Sequence, residues 1–252
     1  MQPQVILKNE EQIEAIKRAA KILVDLRRLL EPKIRVGIST SDLDNLSCDF
    51  ILRRRSIPAF KGYKGFPANI CISVNEEVVH GIPKEAKILK DGDIVSLDMG
   101  VNLDGYFADF AFTRPVGKID TKIKRLIEVT KKALDLGISK AKEGNFISDI
   151  SWVIQNYVEA NKFSVVRDYV GHGIGLSLHE APEIPNFTSS EGKGEKILRG
   201  MVLAIEVMVN MGSWEIEILS DGWTAITKDR LPSCHFEHTV VVTENGPKIL
   251  TR

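Results

Sequence analysis

Residues 92–109 read GDIVSLDMGVNLDGYFAD. Two apolar, β-branched runs flank Asn102 to Gly105, a pattern that predicts an antiparallel strand pair around a turn. Asp98 and Asp109 stand inside those strands. Residues 200–206, GMVLAIE, repeat the form: a glycine, an apolar strand, and a carboxylate, Glu206, six residues on. The later stretch FEHTVVVT, residues 236–243, carries Glu237 among apolar residues as FADF carries Asp109. Helix pairs precede both halves. The expected architecture is therefore an α+β fold with a weak internal duplication of helices and antiparallel strands, its carboxylates converging from both halves.

Outward from these strands, Ile13, Ile16, Ala20, Leu23, Leu26 and Leu30 recur at helical spacing and predict a helix over Glu10 to Leu30, with Pro32 after its end. Ser39 or Thr40 can cap a second helix that turns Leu43, Leu46 and Phe50 inward and closes on the basic triplet Arg53–Arg55 before Pro58. Two further amphipathic helices are expected at Thr121 to Leu136 and Ser148 to Glu159. Residues 59–81 are rich in glycine and aromatics, text suited to loops and short strands that wall a pocket. No Pro/Gly-rich linker divides the halves, so one continuous domain over 1–252 is expected.

The hydrophobic fraction of 43%, charged fraction of 27% and mean hydropathy of -0.06 exclude a disordered or low-complexity chain. Lys+Arg and Asp+Glu both total 34, so no net field draws the protein to nucleic acid or an anionic membrane. The opening MQPQVILKNEEQIE does not read as a secretion signal, and Cys48, Cys71 and Cys234 lack CxxC spacing. A cytoplasmic setting is the expectation. Phosphate loops, a GxSxG elbow and an HExxH helix are all absent.

Asp98, Asp109, Glu206 and Glu237 all lie in mostly apolar strand text. An ionised carboxylate buried there needs a cation or a hydrogen-bond network. A single strand carboxylate most often faces solvent; four in related positions, with histidines nearby, point instead to a shared metal site. Oxygen ligands plus one histidine suit Mn, Fe(II), Co or Zn, and bridging carboxylates suit a pair of ions. Five histidines are available: His80, His172, His179, His235 and His238. By itself, none is distinguishable from a structural histidine.

The stretches VSLDMGVNLDGYFAD, GHGIGLSLHE, MVLAIEVMVN and FEHTVVVT resemble the type I methionine aminopeptidases, metallopeptidases of the pita-bread fold, and the likeness runs through nearly the whole chain. The resemblance implies two divalent ions, with Asp98 on one, His172 and Glu206 on the other, and Asp109 and Glu237 bridging. It implies that the ions activate a bridging water or hydroxide to hydrolyse the bond after an N-terminal initiator methionine when the second residue is small. Glu206 is implied as proton shuttle, His80 as the contact to the scissile amide and His179 as support for the tetrahedral oxygen. Tyr63, Phe66, Cys71, His80, Leu178, His179 and Trp223 would form the substrate pocket, whose aromatic and sulfur atoms suit a thioether. Asn75 and Ser233 match positions that hold a monovalent cation. The implied partner is the N-terminus of nascent polypeptides, near the ribosome, with no nucleic acid or membrane, and the implied state is a monomer.

Three places depart from the family text. Val207 stands where a proline usually follows Glu206, Leu178 where a pocket phenylalanine is common, and Leu176-Ser177 where Arg-Gly is usual. No ligand is lost, so the departures bear on specificity more than on chemistry. The rival readings are a proline-directed aminopeptidase or dipeptidase of the same fold, and a peptide-binding module without catalysis.

Overall fold

The computed structural model describes residues 4–188 and 192–252. Helix α1 (Glu10–Leu30) begins at a capping box: the Asn9 side chain accepts from Gln12 N–H at 2.9 Å while the Gln12 side chain accepts from Asn9 N–H at 3.0 Å. Helix α2 (Thr40–Arg53) uses Ser39 and Asp42 in the same way. Short strands β1 (Ile57–Pro58), β2 (Cys71–Val74) and β3 (Glu77–Val79) lead to the long hairpin of β4 (Ile94–Leu103) and β5 (Tyr106–Pro115). Helices α3 (Thr121–Lys140) and α4 (Ile147–Ala160) follow, the first running four residues beyond the sequence expectation of Leu136. The second half continues with β6 (Ser164–Val165), β7 (Gly171–Gly173), β8 (Glu180–Ile184), β9 (Val202–Asn210), β10 (Ile216–Ile218), β11 (Ala225–Thr227), β12 (Ser233–Thr243) and β13 (Gly246–Ile249).

Each half repeats one plan of helices packed on antiparallel strands, the α+β duplication expected from the sequence. In the first, α1 packs its apolar stripe (Ile16, Leu23, Leu26, Leu30) on the β4–β5 hairpin, and this core is continued by α2 through Leu43 and Ile51. In the second, α3 packs Leu126 and Ala133 on β9 and β12, and α4 packs Ile150 and Ile154 against α3 at Gly137. A sheet with β4 between β1 or β2 and β5 serves the first half; one ordered β13-β12-β9-β7-β8 serves the second.

Register departs from the simple sequence echo. Glu206 lies directly opposite Glu237, but Asp98 lies opposite Ala111, and Gly100 opposite Asp109. The two-residue turn Asp104-Gly105, both at positive φ (53° and 86°), pairs Leu103 with Tyr106 and so fixes that offset. A shift of two keeps Asp98 and Asp109 on one face of their hairpin, as the direct pairing keeps Glu206 and Glu237 on one face of theirs, because side chains alternate with period two.

Threonine side chains stitch β5 to β12. Thr113 Oγ1 donates to the His235 carbonyl at 2.8 Å and accepts from His235 N–H at 3.0 Å. Thr239 Oγ1 donates to the Asp109 carbonyl at 2.7 Å and accepts from Asp109 N–H at 3.0 Å. The two bridges are reciprocal, and each satisfies a buried backbone donor and acceptor that no strand reaches.

Candidate metal centre

All five ligand candidates line one cavity of about 140 Å³: Asp98 and Asp109 from the first hairpin, His172 from β7, Glu206 from β9 and Glu237 from β12. Asp109, His172 and Glu237 each offer a ligand atom within 4.8 Å of the others. The glycines beside His172 let its strand sit between neighbours: a Cβ at Gly171 would come 2.5 Å from the Ala204 carbonyl oxygen, and one at Gly173 2.2 Å from that of Ala181. The Gly173 carbonyl accepts from His172 Nδ1–H at 2.9 Å, which leaves the Nε2 lone pair toward the cavity, 3.8 Å from Glu206 Oε1.

The electrostatics of this cluster are unfavourable without a cation. Burial, opposed in part by hydrogen bonds with Asp109 and Cys71, pushes Asp98 up to about 7. Burial, with mutual repulsion among the carboxylates, raises Asp109, Glu206 and Glu237 well above the usual range. Burial lowers His172 to about 3 and, helped by His179 and Lys64, His80 to about 4, so both rings are neutral at pH 7. Asp98 Oδ1 and Glu237 Oε1 are buried with no hydrogen-bond partner. Oxygen-rich anionic donors, a neutral imidazole and orphaned carboxylate oxygens suit divalent ions.

The pocket candidates stand around the carboxylates. Tyr63, Phe66, Cys71, His80, Leu178, His179 and Trp223 all line the cavity. Trp223 meets the Phe66 ring edge-on at 5.2 Å and the His80 ring at 6.2 Å. His179 stacks on Tyr63 at 5.1 Å, its Nδ1 2.9 Å from the phenol oxygen, and packs against His172 at 4.2 Å. His80 has a left-handed backbone, φ 58°, a conformation that costs a non-glycine residue about 1–3 kcal/mol and is held here by its surroundings. Asn75 and Ser233 lie outside this wall and meet each other, Ser233 N–H donating to the Asn75 carbonyl at 2.8 Å.

Sequence reasoning missed several groups. Phe60, Lys64 and Val79 also line the cavity, and Tyr169 stands edge-on to His80 at 5.0 Å. Phe60 and Lys64 lie in the aromatic-rich loop already suspected as wall, so their placement was nearly within reach. Tyr169 carried no signal. Of the departures, Val207 is fully buried in the far core, facing away from Glu206. Leu176 and Ser177 give their N–H groups to Glu180 Oε1, at 2.6 and 2.9 Å. Only Leu178 touches the cavity.

Comparison with known proteins agrees with this geometry. The profile of metallopeptidase family M24 matches residues 14–244. A methionine aminopeptidase of Clostridium perfringens is 52% identical over 247 residues, covering 98% of each chain. Methionine aminopeptidase 1 of Bacillus subtilis is 48% identical over 98% of this chain and 99% of its own. The crystal structure of a methionine aminopeptidase from Thermotoga maritima superposes with a TM-score of 0.96 at 43% identity, covering 99% of this chain and 100% of that one. A prolidase from Pyrococcus furiosus shares the fold alone, at 23% identity, TM-score 0.80 and 65% of its length. The chain belongs to metallopeptidase family M24, within its methionine aminopeptidase branch.

Proposed function

We propose that this protein removes the N-terminal methionine from nascent polypeptides in the cytoplasm when the second residue is small, using two divalent ions. The observation that carries the reading is the cavity itself, lined at once by four carboxylates and His172 and by the apolar and sulfur-bearing side chains of Phe66, Cys71, Leu178 and Trp223. The 52% and 48% identical relatives named methionine aminopeptidase support the choice of substrate.

Asp98, Asp109, His172, Glu206 and Glu237 would hold the ions, with Asp109 and Glu237 shared between them. When bound, two such ions supply Lewis acidity to the attacking water and the scissile carbonyl and an anchor for the free α-amine. Glu206, open to the cavity between its histidines, takes a proton on a carboxylate oxygen and returns it to the leaving amine. Neutral His80 hydrogen-bonds the scissile amide, and His179, oriented by the Tyr63 hydroxyl, donates to the developing oxyanion. The Phe66–Trp223 wall holds the unbranched thioether.

Both halves contribute ligands, which supports 1–252 acting as one catalytic unit; a monomeric state is part of the same proposal. Among the described residues no helix is long and apolar enough to cross a membrane. A monovalent cation at the Asn75 and Ser233 carbonyl groups belongs to the same proposal.

The test is release of methionine from Met-Ala-Ser, with Met-Lys-Ser and Pro-Ala-Ser alongside, by metal-stripped protein after return of Mn, Co, Fe(II) or Zn. Metal-dependent cleavage confined to Met-Ala-Ser is expected. Cleavage favouring another first residue would overturn the methionine pocket; no turnover with any metal would overturn the enzyme.

A further inference from the structure

His235 is 1% exposed, and neither ring nitrogen has a hydrogen-bond partner. A neutral imidazole carries one donor and one acceptor, and leaving either unmade in a protein interior costs about 1–3 kcal/mol. Such a group calls for an explanation.

Its surroundings supply one. On β12, His235 is two residues before Glu237, so both side chains leave the same face of the strand. Its Nε2 lies 3.7 Å from Glu206 Oε2, while His172 Nε2 stands 3.8 Å from Glu206 Oε1. Glu206 is thus flanked by two imidazoles, one on each oxygen.

The internal repeat places His235 independently. Thr239 follows His235 by four residues and clasps the Asp109 backbone; Thr113 follows Asp109 by four and clasps the His235 backbone. The cross-strand partner of Asp98, Ala111, is two residues beyond Asp109, and the partner of Glu206, Glu237, is two residues beyond His235. The repeat therefore equates Asp98 with Glu206 and Asp109 with His235, not with Glu237 as the linear echo suggests. His235 occupies the place that, in the other half, belongs to a ligand.

We infer that His235 is the positioning residue for Glu206: its Nε2–H hydrogen-bonds Glu206 Oε2 when the centre is loaded, turning Oε1 to the ion it shares with His172. Closing 3.7 Å to an ordinary N–H···O distance of about 2.9 Å takes a shift of under about 1 Å in the carboxylate. The inference rests on the metal centre proposed above. A ligating carboxylate held in this way binds its ion about 10–100-fold more tightly than one left loose.

The experiment is calorimetric titration of metal-stripped wild type, His235→Gln and His235→Leu with Mn, together with the visible spectrum of the Co-loaded forms. His235→Leu should lose about 10–100-fold in affinity for the ion at His172 and Glu206, with unchanged stoichiometry and an altered Co spectrum. His235→Gln, which keeps a donor, should recover most of the loss. Metal-free His235→Leu should melt no lower than wild type, because an orphaned polar ring has been replaced by an apolar side chain; a residue with only a packing role would lower it. Wild-type affinity in His235→Leu would overturn the inference, as would loss of one whole ion, which would make His235 a ligand itself. Should His235→Leu not fold, nitrogen NMR of wild type decides: a protected Nε2–H must appear on adding Zn, and its absence refutes the bond. Failure of wild type to bind any ion would instead refute the metal centre.

Discussion

Lys8 and Glu180 form a buried ion pair, their side chains 1% and 3% exposed, across 172 residues of sequence. Lys8 Nζ also donates to the Ile6 carbonyl at 3.0 Å, and Glu180 Oε1 receives the N–H groups of Leu176 and Ser177. The segment before α1 thereby clamps the turn that carries Leu178 and His179 into the cavity. Removing one partner strands a buried charge, so Lys8→Met should lose about 3–5 kcal/mol of stability in urea unfolding. Turnover should fall as well, through displacement of the neighbouring His179. A loss under about 1 kcal/mol would show the pair to be open in solution.

Metal-free protein should lose stability as pH rises above about 6.5. Carboxylates raised in the folded state bind protons that the unfolded chain has released, so their contribution is complete at low pH and fades as pH passes the folded value, about 7 for Asp98. The depressed histidines act in the opposite sense: His80 and His172 contribute fully above the unfolded value of about 6.5 and lose that contribution as pH falls toward about 4 and 3. Above pH 6.5 only the carboxylate slope remains. Melting temperatures at pH 6.5 and 8 with and without Mn check this: the decline must vanish when ions neutralise the cluster.

Replacing Asp109 with asparagine should move metal binding and metal-free stability in opposite directions. The amide keeps the acceptor that Phe110 N–H meets at 2.9 Å but removes one of four crowded charges. Mn affinity should fall by more than about 100-fold, beyond the range for a merely supporting partner, while the metal-free melting temperature rises. Near-wild-type affinity or turnover would remove Asp109 from the ligand set; Glu237→Gln is expected to behave likewise.

Trp223→Ala should cut kcat/KM for Met-Ala-Ser by about 10–200-fold, mainly through KM, because in the proposed pocket the ring would contact the side chain rather than the reacting bond. It should also narrow the preference for methionine over leucine at the first position. An unchanged KM would place methionine elsewhere in the cavity.

Helix α1 was legible to the residue at both ends, since a six-member apolar stripe and a following proline act locally. The paired strands around Asn102–Gly105 were legible for the same reason. The ligand candidates were legible as a group because charge in apolar strand text has few affordable explanations. Strand register was not: the offset of Asp98 against Asp109 follows from where a two-residue turn closes, and the linear echo misassigned the counterpart of Asp109. The aromatic deficit expected at Leu178 also changes in three dimensions, because Phe60, 118 residues before it in sequence, supplies another ring to the same cavity.

The sequence by itself determined the elements, the family and the short list of charged and aromatic residues, because periodicity, capping and the cost of burying charge are written within a few residues of each position. Only the tertiary structure decided which of them face one another. Lys8 meets Glu180, Thr239 clasps Asp109 and His235 backs Glu206 through contacts between distant segments. Such contacts depend on how strands far apart in the chain, and the two packed halves, are set against each other, a relation that no local stretch of chain encodes.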